Sequence, residues 1–574
     1  MWLHVEALRG AKIVIQVGLN PLGVLVLDEN QNPSLETEMK ASFRDYINTL
    51  RKNDELLDIH KAVDLRNVAA LVAQADKALL FEKVLGYSMP VVSGLLQSRN
   101  RIALGMGVAY EGIADKLGKA MDKPIKPKRV ANAPVKDVVL TGRKVNLYEL
   151  PVPVFSIMDG GPMITGGVVI AEDPEFGMNA GIYRLMLKER NITGIDIVTP
   201  NNMRKFAERA LARKKPLPIS ISIGTHPFEL VASTFKANLG VNELIFDGGL
   251  RGEPLRLADG ETVPVPCIAD AEIVLEGEIL PEGWVHSEGP FSEFNRLMGG
   301  LHMNPRVRVK SIMHRKDAMY YALQMLWENI WMSAPIYEAA ARRVLFEAGV
   351  QTTAINVTPG GCCHWHIVAS IKKVPGDGKN AIMALLSIAD IKHVTIVDDD
   401  IDVFDHVDVE WAVATRVQAD RDVLIVPNAR AKPLDPSLPL PIHGKIPTTA
   451  KMGIDATIPE NIPAERYKRI VYFNQGKVDL KNYLGPMEEG KKTTPAVKPA
   501  ETVEESAGKI VALLEKSHYF FADLLEKLPR VEYKTVAGAV ARLYEEGKIG
   551  QDKDGKFELK PEGALSQQSA VSAG

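Results

Sequence analysis

The sequence predicts an α/β protein with a β-rich middle. An N-terminal α/β domain leads into a central domain of short antiparallel strands, then a second α/β domain and a small helical tail. Three observations carry this. Helical and strand patterns alternate up to about residue 120. Short β-branched runs between turns then replace them as far as about Val309, and the alternation resumes afterwards. A chain of 574 residues, 46% hydrophobic and 25% charged, is long enough to bury several cores of this kind.

The elements follow in order. Lys12–Val17 and Gly23–Leu27 read as short strands between Asn-Pro turns. Phe43, Tyr46, Ile47 and Leu50 recur at helical spacing, and Asn53-Asp54 ends that helix. Val68–Ala75 is helical, Ala78–Phe81 a buried strand, and Gly86–Val92 a turn into another strand. The first domain is set at residues 1–125, with an atypical opening of about 40 residues.

Lys123–Pro134, rich in Pro and Lys, connects to a central domain at 135–315. Its strands are Gly166–Ile170, Ile219–Ile223 and Ala271–Leu275, spaced as in a barrel or sandwich, with one helix at Met203–Arg213. The second α/β domain, 316–485, has strand character at Ala318–Leu326 and a helix at Pro335–Ala348. Strands at Ala354–Val357, His366–Ile371, Val394–Val397 and Val423–Val426 follow, with helices at Asn380–Ala389 and from Trp411. Residues 486–503 read as a linker. Ala507–Lys516, Phe520–Leu528 and Lys534–Glu546 with a hairpin at 547–559 form a winged-helix plan over 504–562, and 563–574 read as a disordered tail.

Charge and cysteine usage exclude several classes. The net charge of −3 gives no global attraction to nucleic acid or anionic membrane. Between Glu504 and Lys560 the winged-helix segment carries ten Lys or Arg against eleven Asp or Glu, so it lacks the positive face that DNA phosphates need. A protein-contact or oligomer role is expected for it instead. Cys267, Cys362 and Cys363 make no disulfide framework, and no leader pattern or apolar run of about 18 residues occurs, so a cytoplasmic protein is expected.

The chemistry centres on Glu288-Gly289-Pro290-Phe291-Ser292-Glu293, which sets two carboxylates across a turn. Read alone, these are solvated acids; buried together, one would hold a raised pKa suited to proton donation. Arg184, in Asn179-Ala180-Gly181-Ile182-Tyr183-Arg184, could grip a carboxylate with both ends of its guanidinium. Asn179 and Glu243 are hard oxygen donors for magnesium, manganese or potassium. Ser233 and Thr234 suit close approach of a phosphate or ring, and Lys451 suits a phosphate. Cys362-Cys363-His364-Trp365-His366 lacks zinc spacing. Asp398-Asp399-Asp400 lacks the glycine and terminal glutamate of a calcium loop and reads as a cap.

Taken together, these motifs resemble the UbiD family of prenylated-FMN-dependent decarboxylases over about residues 40–485. The motifs include Ala78–Glu82 with Gly86–Pro90, Asn179–Arg184, Ala271–Gly277, Glu288–Glu293, Val397–Asp400 and Lys451–Thr457. The resemblance implies a central split β-barrel binding flavin between two α/β domains. It assigns Arg184, Glu288 and Glu293 to a catalytic network, in which Glu288 pairs with Arg184 and Glu293 moves the proton. Asn179, Gly181, Ile182, Tyr183, Arg184, Ser233, Thr234, Glu243 and Lys451 would contact the cofactor. Asn179 and Glu243 would hold a divalent metal (Mn2+ or Mg2+), with K+ nearby. The family often has a histidine as third metal ligand; this chain reads Thr199-Pro200-Asn201-Asn202, and Asn202 is the candidate in its place.

The implied function is reversible, non-oxidative decarboxylation of an aromatic or α,β-unsaturated acid or an aryl-CoA thioester, releasing CO2. The implied partners are a flavin prenyltransferase as cofactor supplier, further copies in a dimer or hexamer, and other subunits through the tail, with neither nucleic acid nor membrane. The rival reading is a non-catalytic scaffold or regulatory subunit of a carboxylase complex.

Overall fold

The computed structural model describes residues 41–198, 200–438, 447–483 and 501–561, with the backbone of four short strands before residue 28. The expected linker, apart from 501–503, and the expected tail at 563–574 lie outside the described residues. The chain divides into two compact units, Met1–Ile462 and Pro463–Gly574. Residues 463–483 therefore belong with the tail unit, not with the preceding α/β domain as the 316–485 boundary had them.

The first unit opens with the helix Phe43–Lys52. Ser42 caps it by accepting from the Asp45 amide at 3.2 Å, Asp45 and Arg51 suit the two ends of its dipole, and Phe43, Tyr46, Ile47 and Leu50 are buried. Burying four such side chains contributes on the order of 1.5–3 kcal/mol each. The helix covers a four-stranded sheet ordered Tyr320–Tyr321, Val91–Ser93, Ala78–Phe81, Leu56–Ile59. Tyr320–Tyr321 corrects the sequence-based domain boundary at 316. It pairs in parallel with Val91 and Val92, so the chain returns to the first domain before entering the last.

The helix expected at Pro335–Ala348 also starts earlier, at Trp327, and runs to Glu347 with Pro335 inside it. Proline there forfeits its own N–H bond and crowds the carbonyl of Trp331 one turn back. Glu328 fixes the helix start. Fully buried, its carboxylate accepts from the amides of Gly94 and Leu96 at 2.9 Å each, from Tyr321 Oη at 2.8 Å and from the Gln324 amide at 2.5 Å. Glu328→Ala strands four buried donors at once. It should cost about 3–5 kcal/mol, read as a drop in urea midpoint, whereas exposed Glu347→Ala should change it little.

The central domain is a nine-stranded antiparallel sheet. Eight strands run in the order Met163–Ile164, Leu185–Glu189, Ile192–Gly194, Arg306–His314, Ile273–Ile279, Leu217–Ile223, Gly167–Asp173, Gly177–Ile182, and Val138–Thr141 adds to Arg306–His314. The last strand of this order, Gly177–Ile182, runs directly into the second, Leu185–Glu189. Only Tyr183 and Arg184 intervene, a span of at most about 11 Å. The sheet must therefore curl until its two ends nearly meet, an almost closed barrel with Arg184 at the seam.

One apolar core runs through the first domain and the barrel. A second fills the C-terminal α/β domain under a mixed five-stranded sheet ordered Thr352–Val357, His366–Ile371, His393–Asp398, Thr448–Asp455, Val423–Arg430. The tail unit has its own core on the helices Val503–Leu514, Phe521–Lys527 and Tyr533–Glu545 with the hairpin Ile549–Gln551/Phe557–Leu559, matching the three-helix-plus-hairpin plan.

Candidate active site

Arg184 bridges two carboxylates at the barrel seam. Nη1 lies 2.7 Å from Glu293 Oε1 and Nη2 lies 2.6 Å from Asp196 Oδ2, while the guanidinium packs over Phe291 and buried Nε has no protein partner. The turn 288–293 carries both predicted acids to this place. Glu288 pairs with His302 across the two-stranded ladder His286–Glu288/His302–Asn304, and Glu293 stands at the far side of the turn. Two glycines admit the carboxylates. A Cβ on Gly194 would collide with the Glu288 carboxylate, and one on Gly299 would lie 2.7 Å from Glu293 Oε1. Gly194→Ala should therefore displace Glu288 and lower kcat about 100-fold with little loss of melting temperature.

The direct carboxylate partners of Arg184 are Glu293 and Asp196, not Glu288 as the resemblance implied. Glu288 is buried, with Oε1 unpartnered and Oε2 accepting from Asn304 Nδ2 at 3.3 Å. Burial pushes its carboxyl up to about 7, reinforced by Asp196 and opposed by the Arg184 charge. Burial also raises the Glu293 carboxyl, against the pull of Arg184. Two carboxyls in one site are thus held towards their protonated forms. That is the arrangement a proton donor needs near neutral pH.

Asp196, His302 and Asn304 complete the site, and the sequence reading missed all three. Asp196 Oδ2 lies 3.4 Å from His302 Nδ1, and Oδ1 accepts from Asn304 Nδ2 at 3.4 Å and from the Val198 amide at 3.2 Å. Burial works against the Asp196 carboxylate, but the His302 bond and the Arg184 charge outweigh it and hold its pKa low. A signal existed: Asp196 is the lone acid in the apolar run Ile195-Asp196-Ile197-Val198, where an unpaired charge is costly.

The predicted metal ligands converge beside this seam. Glu243 Oε2 accepts from the Ala180 amide at 2.8 Å, its carboxylate also bonds Asn202, and burial raises its pKa to about 7. Asn202 opens the helix Asn202–Ala212 and donates to the Ala237 carbonyl at 3.1 Å, in the loop after Ser233 and Thr234. Asn179 bonds the Tyr183 hydroxyl, and burial raises the Tyr183 pKa. The Tyr183 ring folds over Gly181, where a Cβ would lie 2.7 Å from it. The Asn179 amide nitrogen and the Ser233 hydroxyl are buried without partners. Hard oxygen donors, a carboxylate short of positive charge and unsatisfied polar atoms fit a divalent cation and a phosphate. Thr234 instead donates its hydroxyl to the Val231 carbonyl at 2.8 Å.

Lys451 departs from its expected role. It lies in the strand Thr448–Asp455, and its ammonium donates to the carbonyls of Leu386, Ile388 and Ala389 at 2.8, 2.8 and 3.2 Å. Three hydrogens on three carbonyls leave none for a phosphate. Among the described residues, no group of three or more His, Cys, Asp or Glu is placed to hold a metal. Cys362 and Cys363 are buried, and His364 Nδ1 turns to the Cys362 carbonyl at 2.7 Å. Asp398 and Asp400 hold buried Arg416 at 3.1 and 2.6 Å.

Three sequence-family profiles match the chain. The N-terminal domain of 3-octaprenyl-4-hydroxybenzoate carboxy-lyase covers residues 47–121, its Rift-related domain 127–326 and its C-terminal domain 330–456. Anhydromevalonate phosphate decarboxylase of Methanothermobacter thermautotrophicus is 36% identical over 414 residues, 70% of this chain and 93% of the relative. Gallate decarboxylase of Lactiplantibacillus plantarum is 30% identical over 464 residues, 75% of this chain and 94% of the relative. The UbiD-class enzyme HmfF from Pelotomaculum thermopropionicum, solved with FMN, superposes with a TM-score of 0.73 at 39% identity, over 77% of this chain and 100% of that one. An evolved dimeric form of it, solved with prFMN, gives 0.70 at 36%, with the same coverage of both chains.

Proposed function

This chain belongs to the UbiD family of carboxy-lyases, and from that premise we propose that it catalyses reversible, non-oxidative decarboxylation of an aromatic or α,β-unsaturated carboxylic acid with prenylated FMN. The observation that carries this reading is the Arg184–Glu293 pair, a cation able to hold a carboxylate beside a buried carboxyl of raised pKa. Asn179, Gly181, Ile182, Tyr183, Ser233 and Glu243 would hold the flavin, with Asn179, Asn202 and Glu243 around a divalent metal at its phosphate. When bound, prenylated FMN supplies the electron sink that CO2 loss requires.

The chain's own residues do the rest. Arg184 orients the substrate carboxylate through Nε and the unused hydrogens of its Nη groups. As the carbon–carboxylate bond breaks, CO2 leaves and Glu293 gives its proton to the carbon left behind; solvent then reprotonates Glu293. In the carboxylation direction Glu293 takes that proton first. Buried Glu288 keeps water from the Arg184 face, and burial, by raising its carboxyl to about 7, reduces the negative charge that competes with the substrate.

Production together with a flavin prenyltransferase tests the reading. The purified chain should carry prenylated FMN by mass and absorbance and release CO2 from anhydromevalonate phosphate, gallate or a related acid. Plain FMN alone, or no flavin, would contradict it.

A further inference from the structure

His302 faces both Arg184's second amino group and that group's carboxylate partner, Asp196. Its Nδ1 lies 3.2 Å from Arg184 Nη2 and 3.4 Å from Asp196 Oδ2, while Arg184 Nη2 lies 2.6 Å from that same oxygen. Arg184 only donates, a carboxylate only accepts, and a single ring nitrogen does one or the other. The two contacts of Nδ1 therefore exclude each other. Unprotonated, Nδ1 accepts from Arg184. Protonated, it donates to Asp196, shares that carboxylate's charge and withdraws as an acceptor from Arg184.

The ladder fixes this choice in place. His302 and Asn304 alternate on one face of their strand and both reach Asp196, while Met303 between them is exposed. The charged groups facing His302 are Asp196, Arg184 and Glu293, with Glu288 directly across the ladder.

The geometry points to His302 as a positioning residue that, through Asp196, sets whether Arg184 is free to take a substrate carboxylate. Resting on the decarboxylase reading above, this makes carboxylate capture proton-linked. The Asp196 bond leads in raising the His302 pKa, against burial, so the imidazolium persists above the ordinary range. Arg184 is released below that pKa and drawn back as pH rises through it. Carboxylate affinity should therefore fall as pH rises through that pKa.

Two measurements on the full, cofactor-loaded chain test it. Nitrogen-15 histidine spectra, with His302 identified by its loss in His302→Gln, should titrate above the ordinary pKa of about 6.5 and shift down by about one pH unit in Asp196→Asn. Equilibrium dialysis of benzoate, which stays ionised throughout, should show wild-type affinity falling about tenfold as His302 deprotonates. His302→Gln should make that dependence shallower, leaving only the part set by ionisation of Glu288 and Glu293, whereas a merely structural His302 would shift affinity equally at every pH. An unmoved His302 titration in Asp196→Asn, or an unchanged pH dependence in His302→Gln, would overturn the proposal. Failure of the wild type to bind benzoate at any pH would overturn the carboxylate-site reading beneath it.

Discussion

Glu293→Gln is expected to lower kcat by about 10²–10⁴-fold, the range for removing a general acid, while flavin content and melting temperature stay near wild type. Glutamine keeps the shape and an oxygen for the Arg184 Nη1 bond at 2.7 Å, so the guanidinium stays oriented. Only the transferable proton is lost. The wild-type pH profile follows from the same group. Burial raises the Glu293 carboxyl, and donation needs its protonated form, so decarboxylation should be flat at low pH and fall about tenfold per pH unit once that carboxyl ionises. Glu288, near 7 and close by, titrates with it, so the limb reports the pair. Glu293→Gln should lose this limb along with its rate.

Arg184→Lys should raise KM about 100-fold, with a smaller fall in kcat. A lysine keeps the charge but presents a single compact ammonium in place of a planar fork, and each lost charge-assisted bond is worth about 1.5–3 kcal/mol. It cannot span Glu293 and Asp196 while also meeting a substrate, as the guanidinium does. Steady-state kinetics separate the outcomes. A fall in kcat alone would place Arg184 in proton handling, not in carboxylate binding.

The parts of the fold that were legible in the sequence are those whose residues advertise themselves locally. Phe43, Tyr46, Ile47 and Leu50 at helical spacing, stopped by Asn53-Asp54, declare an amphipathic helix. The run Ile219–Ile223 declares a strand, which the structure extends back to Leu217. The helix start at Trp327 stayed hidden because Glu328 is satisfied by Gly94 and Leu96, more than 200 residues away, and no local pattern encodes those donors. The strand character at Ala318–Leu326 was assigned to the 316–485 domain for the same reason, since the partner of Tyr320–Tyr321 is Val91–Ser93.

The site divides likewise. Glu288, Glu293 and Arg184 stand in turn and strand-end motifs and could be singled out. Asp196 and His302 meet Arg184 only because the barrel curls. Lys451 misled for the opposite reason: its motif is distinct, but its ammonium closes the end of the helix Asp377–Leu386 and the turn after it.

The central claim is that Glu293 delivers the proton that replaces the carboxylate. It is tested most directly by turnover in D2O of an accepted acid carrying carbon-13 in its carboxyl group. One equivalent of labelled CO2 and one deuterium on the carbon that bore the carboxylate are expected. In cofactor-loaded Glu293→Gln, both label release and deuterium incorporation should be lost together. Deuterium delivered to that carbon at the wild-type rate by Glu293→Gln would contradict it.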